Sequence, residues 1–349
     1  MGELLGVGMT HFPPLSAQDE RMTAAFTKMI NHPSTPEEAK TASALPAQLV
    51  AELADDNGLK AAAGHREHLR ANLRRVRARI DEFAPDLILV WGDDQYENFK
   101  ETVIPPFCVL AYDDFVHRPW ANFHLGQNTW GEDVDTELHV KGSNEAGKYL
   151  TTGLIESGFD MAYSYRPNEY DGLSHAFTNT VLYLDYERTG FPYPILPVAV
   201  NCYGRLVISA KGLFVDPANP PRGSQLDPPS PSPARCFDLG RATARVLADS
   251  PWRVALVASA SWSHGFLASC NRYLYPDVAA DQRLFQALLD RDYDVWRSYP
   301  LDAIERSGQQ EMLNWFCLLG AMVELGRDIE WAELVETYIF NSDKAFVLF

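Results

Sequence analysis

The strongest constraint on this chain is a helical stripe that runs through a proline into an unbroken apolar strand. Leu69, Leu73, Val76, Ile80 and Phe83 recur every three or four residues, so they line one face of a helix. Pro85-Asp86 stops that helix, and the apolar run Leu87-Ile88-Leu89-Val90-Trp91 follows as a buried strand. Upstream, Leu4 to Met9 is a shorter apolar run that ends at Thr10-His11-Phe12-Pro13-Pro14, a strand closing in a sharp loop. Strand, helix, strand is the grammar of an α/β fold built on a mainly parallel sheet. Further strands are expected at Val103 to Leu110, Ile195 to Val200 and Arg253 to Ser259. Helices are expected at Asn144 to Ser157, Phe237 to Ala248, Ala280 to Asp290 and Gln309 to Glu324.

The length of 349 residues suits one large domain or two small ones. The segment from Asp216 to Ala234 is rich in proline and poor in apolar residues, so it reads as an extended loop. The Arg235 to Gly240 stretch after it resembles a helix start within the same core, which favours a single domain over 1–349. That domain would carry an inserted helical region at about 16–83 and the proline-rich loop at about 216–234.

A net charge of -17 opposes a nucleic-acid partner, since phosphate neutralisation needs a basic face, and it disfavours anionic membrane. No apolar run reaches the roughly 18 residues of a spanning helix. The N-terminus lacks the basic and apolar regions of a secretion signal. Five cysteines without CxxC spacing suit reduced thiols in a cytoplasmic protein.

Ligands of open α/β sheets bind beyond the carboxyl ends of the strands. Those ends carry His11, then Gly92-Asp93-Asp94-Gln95-Tyr96-Glu97, then Asn201-Cys202-Tyr203-Gly204, and finally Ser261-Trp262-Ser263-His264. Histidines and carboxylates converging there fit a 2-His-1-carboxylate iron site. A strand-end histidine is more often a hydrogen-bonded loop residue, and paired acids are more often turn caps.

The same blocks, in order, carry a family likeness. They are Gly8 to Pro13; Leu87 to Phe107; Leu173-Ser174-His175 with Thr178 to Leu182; Pro197 to Tyr203 with Arg235 to Gly240; Ser261 to His264; and Gln309 to Trp315. The chain resembles the class III extradiol ring-cleavage dioxygenases of the protocatechuate 4,5-dioxygenase large-subunit type. The resemblance implies a three-layer α/β sandwich with helices on both sides of a mixed sheet. It implies Fe(II) as cofactor, a small aromatic substrate with O2, and assembly as a homo-oligomer, with a homodimer expected. His11 matches the first iron-binding histidine and Glu311 the carboxylate ligand. His264 matches a histidine that moves protons, and His175 another active-site histidine near the substrate.

One position departs from the pattern. The family's second iron histidine stands four residues before a phenylalanine, and here Gln95 stands four residues before Phe99. Three readings are open: Gln95 binds through its amide oxygen, another side chain substitutes, or the chain is an inactive partner subunit. His65 is the nominated substitute, because it lies four residues before Leu69 on the core-facing stripe, near the helix N-terminus. A further alternative is a metal-dependent hydrolase using Asp93, Asp94 and Glu97 with His11. Arg166, Tyr203 and Arg235 are weaker candidates for meeting a substrate carboxylate.

Overall fold

In the computed structural model, which describes residues 2–121, 124–167 and 172–349, the chain forms an α/β sandwich around one large sheet. Its strands are β1 (Glu3–Met9), β2 (Leu87–Asp93), β3 (Phe107–Leu110), β4 (Phe115–His117), β5 (Leu138–Val140), β6 (Ala162–Ser164), β7 (Ile195–Val200), β8 (Arg253–Ser259), β9 (Trp331–Val335) and β10 (Lys344–Leu348). Eight of them form a sheet in the order β6-β3-β7-β2-β8-β1-β10-β9, while β4 and β5 pair separately. The middle of the sheet is parallel: β2 pairs with β7 and with β8, and β8 with β1. Within the eight-stranded sheet, antiparallel pairing enters at β3–β7, β1–β10 and β10–β9. The fold is therefore a mixed, mainly parallel sheet between helices, as the apolar runs imply.

Every residue of β2 is buried, because the sheet is covered on both faces. One face packs on the helices Asn144–Glu156, Pro233–Ala248 and Leu313–Leu325, with Leu89, Trp91, Leu256 and Ala258 in that core. The other face supports Leu59–Phe83 and His175–Leu184, with Ile88, Val90, Val257, Leu69, Leu73, Val76 and Ile80 between them. The first of these layers has two helices in backbone contact. A Cβ on Gly240 would lie 1.8 Å from the carbonyl oxygen of Cys317, and one on Gly320 1.9 Å from that of Phe237. Only glycine at both positions lets Pro233–Ala248 and Leu313–Leu325 approach so closely.

Several boundaries differ from the sequence reading for local reasons. The strand expected from Val103 begins at Phe107, since Pro105 and Pro106 cannot donate to a ladder. The helix expected from Phe237 starts earlier, at Pro233, where the Ser232 side chain caps it by accepting from the Arg235 amide. The expected helix from Gln309 is a short 3-10 turn, Gln310–Met312, before the α-helix Leu313–Leu325. The strands β9 and β10 at the C-terminus were not expected. The proline-rich segment is extended apart from one 3-10 turn at Gly223–Gln225. No described helix is long and apolar enough to cross a membrane. None of the five cysteines forms a disulfide.

Candidate metal centre

The carboxyl ends of β7, β2, β8 and β1 lie side by side, and the polar residues that follow them meet at that edge. The register pairs Met9 with Ser259 and Asp93 with Val200. It thereby sets His11 two residues beyond β1 and Asp93 at the tip of β2. His11 is fully buried, and its Nδ1 lies 3.2 Å from the Ser259 hydroxyl. Thr180 Oγ1 donates to that same hydroxyl, which fixes the ring from below.

The other nitrogen of His11 faces acids. Its Nε2 is 3.3 Å from Glu311 Oε2 and 3.8 Å from Asp93 Oδ1. Despite the short approach to Glu311, no aligned hydrogen bond reaches it, and Asp93 Oδ2 is likewise buried without a partner. Buried polar atoms left unpaired are costly, and an unpaired imidazole nitrogen between two carboxylates marks a place where a cation would satisfy them. Among the described residues, His11, Asp93 and His175 present donor atoms all within 4.8 Å of one another.

Glu311 comes from the 3-10 turn Gln310–Met312 and is held on every side. Its Oε1 accepts from the Tyr203 hydroxyl at 2.5 Å and lies 3.0 Å from His264 Nε2; its Oε2 accepts from the Ser261 amide at 2.9 Å. Burial pushes its pKa up, but the facing charges of His264 and His11 outweigh this and leave it well below the usual carboxylate range. Burial pulls His264 down, and Glu311 more than offsets it, so His264 titrates above an ordinary histidine. Asp93 lacks comparable donors; burial and the charge of Glu311 raise it to about 6.

His175 opens the helix His175–Leu184, directly after its N-cap Ser174. Its ring stands edge-on to His11 at 5.1 Å, and its Nδ1 contacts Glu97 Oε2 at 3.0 Å. Glu97 also accepts from the His175 backbone amide. Burial lowers the His175 pKa, but Glu97 overrides it and pushes it up to about 10. A histidine that binds a carboxylate through one nitrogen has its orientation set for the work of the other. His175, Gln95 and Glu97 are part-exposed, whereas His11, Asp93, His264 and Glu311 are closed to solvent.

Gln95 sits at this rim. Its side-chain NH2 donates to the Gly212 carbonyl at 2.8 Å, and its amide oxygen is 3.5 Å from the Tyr203 hydroxyl. His65 is elsewhere. Its ring packs on Phe340 at 4.9 Å and Phe12 at 6.2 Å, beside a groove lined by Glu52, His68 and Thr337. The core-facing stripe does bury it, but one layer away from the acids. Burial, followed by the charge of Lys344, holds its pKa well below the ordinary value.

Asp94 is spent on structure: its carboxylate accepts from the backbone amides of Glu97, Asn98 and Phe99 and so caps the loop after β2. Arg235 stacks at 3.9 Å over Phe159, Arg166 is exposed, and only Tyr203 of the three candidate substrate contacts stands beside the acids. Sequence reasoning passed over Glu97 as the partner of His175, and over Ser259. The Ser259 signal was present in the β1–β8 pairing, since two parallel strands that end together set their last residues side by side.

No protein-family model matches the chain. It is similar to the 2,3-dihydroxyphenylpropionate/2,3-dihydroxicinnamic acid 1,2-dioxygenase of Photorhabdus laumondii, with 24% identity over 200 residues, covering 57% of this chain and 49% of that one. The enzyme of the same name from Comamonas testosteroni is 24% identical over 209 residues, 60% of this chain and 52% of its own. A second such enzyme, from Pseudomonas putida, is 31% identical over 131 residues, 37% of this chain and 35% of its own. The chain thus spans about half the length of the first of these curated relatives. Their shared name describes dioxygenases of 2,3-dihydroxyphenyl compounds, and the likeness supports the extradiol resemblance carried by the sequence blocks.

Proposed function

We propose that the protein is a non-haem Fe(II)-dependent dioxygenase that opens a catechol-like aromatic ring by extradiol insertion of O2. The observation that carries this reading is the buried, unpartnered Nε2 of His11, 3.3 Å from one carboxylate and 3.8 Å from another. Imidazole nitrogen and carboxylate oxygen together are the donor types that suit divalent iron, so the residues fit the metal. His11 and Glu311 would hold it. When bound, the metal lowers the pKa of a substrate hydroxyl and gathers diol and O2 in one coordination sphere.

The chain's own groups supply the rest. His264 Nε2 is bonded to Glu311, and its Nδ1 is buried with no partner. An imidazole held in that way can carry a proton at this nitrogen and pass it to a reacting oxygen. The His175–Glu97 pair stands at the part-exposed rim, where a substrate entering between Gln95 and His175 would meet it. Tyr203, Val207 and Ile208 after β7, and Phe266, Leu267 and Leu274 after β8, pack with Met29 and Ala39 of the N-terminal insertion. This apolar cluster touches His264 through Phe266 and Glu311 through Tyr203, and such surroundings would suit an aromatic guest.

The test is oxygen uptake by the anaerobically purified protein after addition of Fe(II), with catechols, gallates and aminophenols offered in turn. Uptake with at least one of them, lost in His11→Ala, supports the reading. No uptake with any, together with unchanged metal content in His11→Ala, would remove it. Isolated protein that binds no metal would instead fit a non-catalytic partner subunit.

A further inference from the structure

We propose that Asp93, and not Gln95, is the side chain that joins His11 and Glu311 on the metal; this rests on the metal-dependent reading above and deepens it. Two sets of observations separate the candidates. Gln95 is anchored through its NH2, which donates to the Gly212 carbonyl at 2.8 Å; its oxygen lies 3.5 Å from the Tyr203 hydroxyl, whose proton goes to Glu311. Gly212 has φ +73, and a Cβ there would lie 2.4 Å from the Gln95 carbonyl oxygen, so the 212 loop is pressed against Gln95. Gln95 thereby ties the loop after β2 to the 212 loop, while Tyr203 gives its proton to Glu311. As a ligand it would bring only a neutral donor, from a part-exposed side chain already fixed on the 212 loop.

Asp93 is the reverse case. It is fully buried at the tip of β2, the rigid centre of the sheet. Its Oδ1 is 3.8 Å from His11 Nε2 and has one long contact, 3.4 Å, from the Asn314 amide; its Oδ2 has no hydrogen-bond partner among the described residues. A carboxylate sealed from water with an oxygen unpaired, beside an equally unpaired imidazole nitrogen, is a donor pair suited to a cation. Two donors 3.3–3.8 Å from His11 Nε2 are spaced as neighbouring ligands of one ion. His175 stands within the same 4.8 Å, but it is anchored on Glu97 at the exposed rim, where it is placed to meet substrate. One imidazole and two carboxylates form a harder donor set than two imidazoles and one carboxylate, so Mn(II) should compete well with Fe(II) here.

The experiment is anaerobic calorimetric titration of the whole chain with Fe(II) and with Mn(II), in wild type, Asp93→Asn, Gln95→Ala and His11→Ala. Visible absorption of the Co(II)-substituted proteins gives a second readout of the ligand set. Asp93→Asn should weaken binding at least about 100-fold and change the Co(II) spectrum, while Gln95→Ala stays within about threefold of wild type. Metal-free Asp93→Asn should melt no lower than wild type, because the amide replaces a buried, unpaired charge, so lost binding cannot be ascribed to misfolding. The proposal falls if Gln95→Ala loses the metal and Asp93→Asn keeps it. It also falls if both keep it while only His11→Ala loses it, a result that leaves the metal reading intact. Wild type that binds no metal would overturn both.

Discussion

His11 Nε2 and Glu311 Oε2 lie 3.3 Å apart, although one residue follows the first strand and the other precedes the last long helix. Chain ends are brought together there because β1 inserts next to β8, with Leu313–Leu325 packed across them. Such a junction of buried acids and imidazole should be tied together by a cation.

Metal should therefore stabilise the fold. Saturation with Fe(II) or Mn(II) at about 100 times the dissociation constant should add roughly 2.7 kcal/mol to the unfolding free energy. Chelator should reverse the gain. Thermal melts with and without metal check this, and His11→Ala should show no difference between the two.

His264→Gln should keep its metal but lose turnover. Its imidazole contacts Glu311 through Nε2, and its Nδ1 is the unpartnered nitrogen. Loss of a positioned acid–base group costs roughly 10²–10⁴ in rate. Steady-state oxygen uptake should show the fall in kcat, with metal content near one per chain.

Tyr203→Phe should destabilise the protein by about 1.5–3 kcal/mol, since the hydroxyl donates a 2.5 Å hydrogen bond to the buried Glu311 carboxylate. Urea unfolding measures it. An unchanged midpoint would show that Ser261 and His264 satisfy Glu311 alone.

Gly240→Ala should cost about 3 kcal/mol or more, because the added methyl meets a backbone carbonyl and not a side chain that can turn away. The shift would separate the helix that follows Glu311 from its neighbour. Lower thermal stability together with weaker metal binding is the expected pair of results.

Asp281 and Asp343 are both fully buried. Burial, with smaller effects from neighbours, raises Asp281 to about 7, and burial with the charge of Asp281 raises Asp343 well above the usual range. Folded-state values above the unfolded one mean that the native state binds the extra proton. The stabilisation is complete below about pH 4 and is lost as pH rises towards about 7. Asp343→Asn keeps an oxygen for the Thr337 amide and offers Asp281 an N–H. The stability difference between wild type and this variant should shrink as pH rises from 4 to 7, as denaturant titrations at several pH values would show.

Much of this architecture was legible in the residues. The apolar runs of β1, β2, β7 and β8 are long, unbroken and flanked by turn signals, so the central parallel strands and the ends where ligands collect could be read directly. His11, Glu311, His264 and His175 were reached through the block resemblance, and the structure gathers all four at that edge. His65 shows where periodicity stops being informative. A helical stripe tells that a residue faces the core but not which part of the core, and Phe12 and Phe340 receive this one. Pairings such as Glu97 with His175, or Gln95 with the Gly212 carbonyl, join segments far apart in sequence and leave no local pattern. The strands β9 and β10 escaped notice because each is only five residues long, β9 is half-buried, and β10 is buried throughout and so shows no alternation.

The most direct test of the account is the fate of labelled oxygen. The Fe(II)-loaded protein is supplied with ¹⁸O2 and a catechol that supports oxygen uptake, and the ring-opened product is weighed by mass spectrometry. A ring-cleaving dioxygenase places both labelled atoms in the product. Product formed without ¹⁸O2, or carrying oxygen only from water, would contradict the account and turn the same acids and histidines to hydrolysis.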